Sequence, residues 1–307
     1  MTLCRMKCRR WIPRLAVLSL AGALGLFGLN TVGLFIPVRD PGIYGEPRNF
    51  FTGDSNRVFT AEEFWRQAKP LAGEANRDYA VRVTGLVHDS SAYLYEKEKP
   101  ELLKRNWRVP IYKNYLLWAS RRIKFLGAWA RGQVSWADRG SIYRYVFSNY
   151  RSALERGVAL CDEQSVILMG LLKERGMATH YVSFSRHALV EAEVEPGVWW
   201  VLDPSLRTVL PYDVPTLCRN PDLIKSLCRE EGKNLPTTEL LLNSFAEPPP
   251  RPVVSKSVKE AHGAGRYYLE VASPFLIWIL PAILLVAGLA GRRCHQRTLA
   301  TEETKPV

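Results

Sequence analysis

Only six cysteines and five histidines occur among 307 residues. The cysteines, at 4, 8, 161, 218, 228 and 294, are too few and too scattered for a disulfide scaffold, and no two pairs have zinc-site spacing. No Walker motif, dinucleotide-binding glycine fingerprint or Gly-x-Ser-x-Gly elbow is present, so nucleotide chemistry and serine hydrolysis have no support. Internal repeats are absent as well. Acidic residues are the scarcer charge, 30 against 42 Lys and Arg, for a net charge of +12. An excess of that size suggests a nucleic acid or an anionic membrane as partner until its location is known. What the chain does have is 47% hydrophobic residues beside 23% charged, ample for a core and incompatible with a wholly disordered protein.

Two uncharged runs, Leu15–Val38 and Val271–Gly291, are each long enough to cross about 30 Å of hydrocarbon as a helix. Pro281 interrupts the second, which a membrane helix tolerates when neighbouring groups take up the freed carbonyl. Arg5, Lys7, Arg9, Arg10 and Arg14 precede the first run, and Arg292, Arg293 and Arg297 follow the second. The positive-inside rule therefore puts both termini in the cytoplasm and the 40–270 region outside it. A cleaved signal peptide is the rival reading of the first run, but Gly33-Leu-Phe-Ile-Pro-Val38 offers no small-x-small cleavage site. A buried core helix is the rival for the second, and its length and following Arg pair speak against it.

The two runs also locate the charge. Residues 1–39 carry six positive and no negative groups, 271–307 carry four positive and two negative, and +4 of the +12 is left for 40–270. No compact basic stripe is visible there, so nucleic acid is not expected as a partner.

Residues 1–14 thus read as a cytoplasmic flank, 15–38 and 271–291 as membrane helices, and 292–307 as a cytoplasmic tail. Within 40–140 a Gly-, Pro- and Asn-rich connector leads into helical patterns over 61–67, 76–88 and 112–130, and a further pattern covers 141–155. Trp107, Trp118, Trp129, Trp136, Tyr143 and Tyr145 read as interhelical packing. After Cys161 a helix is expected from Asp162 to about Arg175, stopped by Gly176. Three strands are expected next, Thr179–Phe184, His187–Val194 and Val198–Asp203. Residues 207–270 read as an irregular extension, with Glu247-Pro-Pro-Pro-Arg-Pro252 as a stiff linker.

Glu195-Pro196-Gly197 reads as a three-residue hairpin loop, with Gly197 in the left-handed region. Counting outward sets Val194 opposite Val198, Glu191 opposite Val201 and Leu189 opposite Asp203. Ala188, Val190, Ala192, Val194, Val198, Trp200 and Leu202 then share a core face. His187 and Asp203 become diagonal neighbours on the other surface, whereas an even loop would part them. A carboxylate beside an imidazole fixes the tautomer and stabilises the imidazolium. Cys161 supplies a nucleophile at a helix start, where unpaired amides and the helix dipole favour a thiolate and can hold an oxyanion. Each group also has an ordinary use: a small buried Cys, a structural strand His, an Asp ending a strand before Pro204.

The blocks Gly157-Val-Ala-Leu-Cys161-Asp-Glu-Gln, His187-Ala-Leu-Val-Glu191 and Trp199-Trp-Val-Leu-Asp203-Pro204-Ser205 resemble the bacterial transglutaminase-like superfamily. The resemblance covers residues 141–206 and implies an α+β, papain-like core between the two membrane helices, with Cys161 as nucleophile, His187 as base and Asp203 as orienting acid. Leu189 departs from it where the family often has an aromatic residue. It implies an amide hydrolase or acyltransferase acting on a protein or peptide substrate, the cell envelope included, or a non-catalytic scaffold module, with no cofactor. Metal binding by His180, His187 and Cys161 is another use open to these groups, without an evident fourth ligand. Cys218 and Cys228, placed outside the cytoplasm, are expected to form a disulfide, with two thiols as the alternative; Cys4 and Cys8 are candidates for acylation.

Overall fold

A computed structural model describes residues 2–39, 59–93, 108–123, 145–185, 187–246 and 252–303, with side chains described from 13 to 297. The connector over 40–58, Trp107, Trp129, Trp136, Tyr143, the 247–251 part of the stiff linker, and the Cys4 and Cys8 side chains lie outside that description. The first helices in chain order are α1 (Thr2–Phe35), α2 (Ala61–Gln67), α3 (Asn76–Ser90), α4 (Tyr115–Arg122), α5 (Tyr150–Arg156) and α6 (Cys161–Glu174). Strands β1 (Thr179–Ser183), β2 (Ala188–Glu195), β3 (Val198–Asp203) and β4 (Thr208–Leu210) follow. After them come α7 (Val214–Arg219), α8 (Asp222–Glu230), α9 (Leu235–Ala246), β5 (Val253–Ser255), α10 (Val258–His262) and α11 (Ala264–Glu303). The fold is therefore α+β, and its residues cluster into two units.

One unit comprises 1–37, 109–119 and 271–307. Two of its helical stretches are long and apolar enough to cross a membrane, Pro13–Phe35 with mean hydropathy 1.8 and Ala264–Arg297 with 2.2. The first helix stops at Phe35, short of the expected Val38, because Pro37 disfavours helical backbone at Ile36. The two helices run antiparallel. A side chain at Gly288 would sit 2.7 Å from Leu20 Cγ, so glycine permits their close approach. Phe27 and Trp278 meet further along, at 6.3 Å between ring centroids.

Pro281 leaves the Ile277 carbonyl without its helical donor. Asn30 Nδ2 donates to that carbonyl at 2.5 Å and the Tyr115 hydroxyl at 3.2 Å. The proline is thus accommodated as the sequence requires, by side chains from two other segments. Asn114 Nδ2 donates to Ser273 Oγ at 2.7 Å, and Lys113 Nζ to the Gly33 carbonyl at 2.6 Å.

The other unit comprises 38–108 and 120–270. Its sheet is antiparallel, in the order β4-β3-β2-β1-β5. The central hairpin keeps the expected register, Glu191 opposite Val201, by a different route. Its loop is two residues, Pro196 and Gly197, and a bulge at Val194 restores the count, because Glu195 rather than Val194 faces Val198. Gly197 has φ 76°, the left-handed conformation foreseen for it.

Helices cover both faces of the sheet. On one side α6 packs on β1 and β2, with α3 beside it. On the other, Val182, Leu189, Val201 and Leu210 are buried with Leu217, Ile224, Leu241 and Phe245 of α7, α8 and α9. That overturns the irregular reading of 207–270, most of which is helical, and makes the presumed surface of the hairpin a second core face. The prolines taken there for loop are helix starts: Pro215 opens α7 behind an Asp213 cap, and Pro236 lies in the first turn of α9. The pattern over 141–155 also shortens, since Asn149 caps α5 and 145–149 are not helical. The 112–130 pattern yields only α4 among the described residues.

Candidate active site

Cys161 is the first residue of α6, where the helix geometry leaves the leading amides without intrahelical acceptors. His187 stands just before β2, in a tight turn closed by Phe184 N donating to the His187 carbonyl at 2.8 Å. Asp203 ends β3. The hairpin register brings the last two together, His187 Nε2 lying 2.5 Å from Asp203 Oδ2. Asp203 Oδ1 accepts from Ser205 N at 3.0 Å, Ser205 Oγ at 2.7 Å and Leu206 N at 3.2 Å, so the turn after β3 fixes the carboxylate. From α3, His88 Nδ1 lies 2.9 Å from the Pro204 carbonyl and holds that turn in place.

Burial alone would drive the His187 pKa down. The charge of Asp203 and its hydrogen bond outweigh burial, the Cys161 thiol adds to the push, and the imidazole rises to about 10. For Asp203, burial pushes upward, but His187, Ser205 and Leu206 hold the carboxylate below its ordinary range. The pair is thus imidazolium and carboxylate at neutral pH. His187 Nδ1 has no hydrogen-bond partner among the described residues, and although the thiol is near enough to bias the ring, the two do not make a hydrogen bond of ordinary geometry.

No family model, curated protein or solved structure matches the chain. The site is accordingly judged on its own chemistry. A buried imidazolium oriented by a carboxylate, with its second nitrogen unpartnered and a thiol nearby, can stabilise a thiolate and return a proton to a leaving group.

The start of α6 is held by a buried ion pair absent from the sequence reading. Arg156 bonds to Glu163, and both side chains are buried. Glu163 Oε1 also accepts from Phe147 N at 2.7 Å. Arg156 donates further to the Val158 carbonyl, at 3.2 and 3.1 Å, and to the Tyr145 carbonyl. Tyr181 was missed as well. Burial above all, with the charge of Asp162 added, pushes its phenol well above the ordinary value, so it keeps its proton. A buried aromatic in a strand gives no signal that would mark it in advance.

His180 is placed elsewhere. Its Nδ1 lies 3.0 Å from Glu191 Oε2, and its ring stacks on Trp199 at 4.6 Å. Among the described residues no three His, Cys, Asp or Glu side chains cluster as a metal site would. Cys218 is half-buried and Cys228 buried, both among the helices that cover one face of the sheet.

Cys161 is 1% exposed, and His187 and Asp203 are 0% exposed. The same unit has a cleft of about 680 Å³ lined by Arg82, Asp89, Arg207 and Val209, and another of about 490 Å³ lined by Tyr150, Met169, Lys173 and Tyr267. Neither is lined by the three residues.

The imidazole makes folding pH-dependent. With a folded value of about 10 and an unfolded one near 6.5, the native state keeps a proton that the unfolded chain loses between those limits. The stabilisation is complete below about pH 6.5 and lost as pH rises to about 10. Denaturant titrations of the full chain in micelles should show stability falling over that window, by up to about 1.4 kcal/mol per pH unit for one proton. The component should vanish in His187→Gln. Equal slopes in the two proteins would contradict the ion pair.

Proposed function

We propose that the chain is a membrane-anchored, transglutaminase-like thiol enzyme with a papain-like core, acting on a carboxamide or peptide bond. The observation that carries it is the buried His187–Asp203 pair at 2.5 Å, with the other imidazole nitrogen unpartnered and Cys161 at the start of α6. The Cys161 sulfur, as the thiolate whose proton His187 holds, attacks the carbonyl carbon, forming the C–S bond, and the carbonyl electrons move to an oxyanion held by the leading amides of α6. On collapse the C–N bond breaks, and His187 gives its proton to the departing amine. Water or a second amine then attacks the thioester, His187 takes the attacker's proton, and the thiolate is released.

The antiparallel apolar helices support termini on one side of a membrane, and the flanking Arg and Lys residues support the cytoplasm for that side. The domain then faces the extracytoplasmic space of a bacterial cell, where a protein, peptide or cell-wall amide is the substrate class to test. A non-catalytic binding or scaffold module of an envelope or export complex is the second reading. The closure of all three residues to solvent favours it.

Incubating the full chain with amide substrates, with and without an added amine, separates the readings. Release of ammonia or of a free amine without added amine means hydrolysis, incorporation of the added amine means transfer, and neither, across a panel of glutaminyl peptides and cell-wall amides, means a module.

A further inference from the structure

Glu270 is buried in the helix that leads into the second apolar run, one residue before Val271. Its Oε2 accepts from the Ser148 and Asn149 amides, both at 2.7 Å. Its Oε1 accepts from the Tyr145 hydroxyl at 2.9 Å and lies 3.5 Å from Arg266 Nε. A carboxylate that collects two backbone amides, a phenol and a guanidinium is a clamp on the non-helical segment 145–149.

That segment touches the nucleophile's helix directly. The Phe147 amide donates to Glu163, two residues past Cys161, and the Tyr145 carbonyl accepts from Arg156, which also bonds to Glu163. At the far end of α5, Arg39 Nη2 donates to the Leu154 carbonyl at 2.6 Å, so the segment is held from both ends. The first turn of α6 is therefore no freer than 145–156. Ångström-scale misplacement of a reacting group costs orders of magnitude in rate.

We propose that Glu270 is a positioning residue, which sets Cys161 against His187 by fixing the 145–149 segment behind the first turn of α6. This rests on the thiol-enzyme reading above, and the test separates the two. In the full chain in micelles, iodoacetamide labelling of Cys161 should slow at least about tenfold in Glu270→Ala. The slowing caused by His187→Ala should shrink in the Glu270→Ala background, whereas a loss of stability alone would speed labelling of the buried thiol by opening the site more often. Glu270→Gln should restore labelling to within about threefold, because its carbonyl oxygen still accepts the two amides. Should Glu270→Ala fail to fold, Glu270→Asp, one methylene short of both amides, should give the same two effects in weaker form. A folded Glu270→Ala or Glu270→Asp that labels at the wild-type rate with the full His187 dependence would overturn this proposal alone. Wild-type labelling indifferent to His187 would overturn the enzyme reading and this proposal with it.

Discussion

Replacing His187 by Ala is expected to slow alkylation of Cys161 at pH 7 by about a hundredfold, within the usual contribution of a positioned acid–base group. The reason is electrostatic. His187 carries its proton at neutral pH because Asp203 offsets the burial that would otherwise remove it, and the charge lies beside the thiol. Removing the ring takes away both the charge and the proton for the leaving amine. Since Cys161 is closed to solvent, labelling also reports how often the site opens, so the opening of each protein is measured by hydrogen exchange and divided out. The ratio of rates isolates the imidazole. Asp203→Asn should lie between the two, with the ring kept but its charge no longer supported. A ratio near one would mean that Cys161 is an ordinary buried cysteine.

The second large effect concerns stability. Glu163→Ala strips Arg156 of its counterion where the guanidinium is fully enclosed, and leaves the Phe147 amide without its acceptor. Breaking a buried pair from one side costs about 3–5 kcal/mol, more than the pair itself contributes, because the remaining charge is stranded. The Val158 and Tyr145 carbonyls and the Phe147 ring, 4.9 Å away, still surround Arg156 but cannot neutralise it. Glu163→Leu combined with Arg156→Met, which removes both charges at similar volume, should recover only the part due to the stranded charge, because the Phe147 amide and the Val158 and Tyr145 carbonyls still lose their partners. Chemical denaturation in micelles measures it, and a single-variant cost below about 1 kcal/mol would show the pair to be peripheral.

What was legible beforehand was local. The apolar runs announce themselves by length, the start of α6 by its stripe, and the hairpin by Pro196-Gly197, so His187 and Asp203 could be aligned by counting along two neighbouring strands. The count survived even though the loop is one residue shorter than expected, because the bulge at Val194 compensates. What escaped was long-range. Arg156 and Glu163 are close in sequence, but their burial depends on how α5 folds onto α6. Glu270 lies 122 residues from the Ser148 amide it accepts, and nothing in its neighbourhood marks it as a clamp. Helices α7 to α9 were hidden by prolines that sit at helix starts, where a missing amide hydrogen is harmless. With those helices unseen, the face carrying Leu189 and Val201 passed for surface.

The central claim is a thioester on Cys161, and intact mass measurement tests it most directly. The full chain in micelles is mixed with a panel of glutaminyl peptides and cell-wall amides and quenched in acid within the first turnovers. The expected result is a mass increase equal to the acyl group, mapped to Cys161, formed with release of ammonia or amine, discharged faster by added amine in a transferase, and absent from Cys161→Ala. No adduct and no released amine from any member of the panel, with the Cys161 thiol intact, would contradict it.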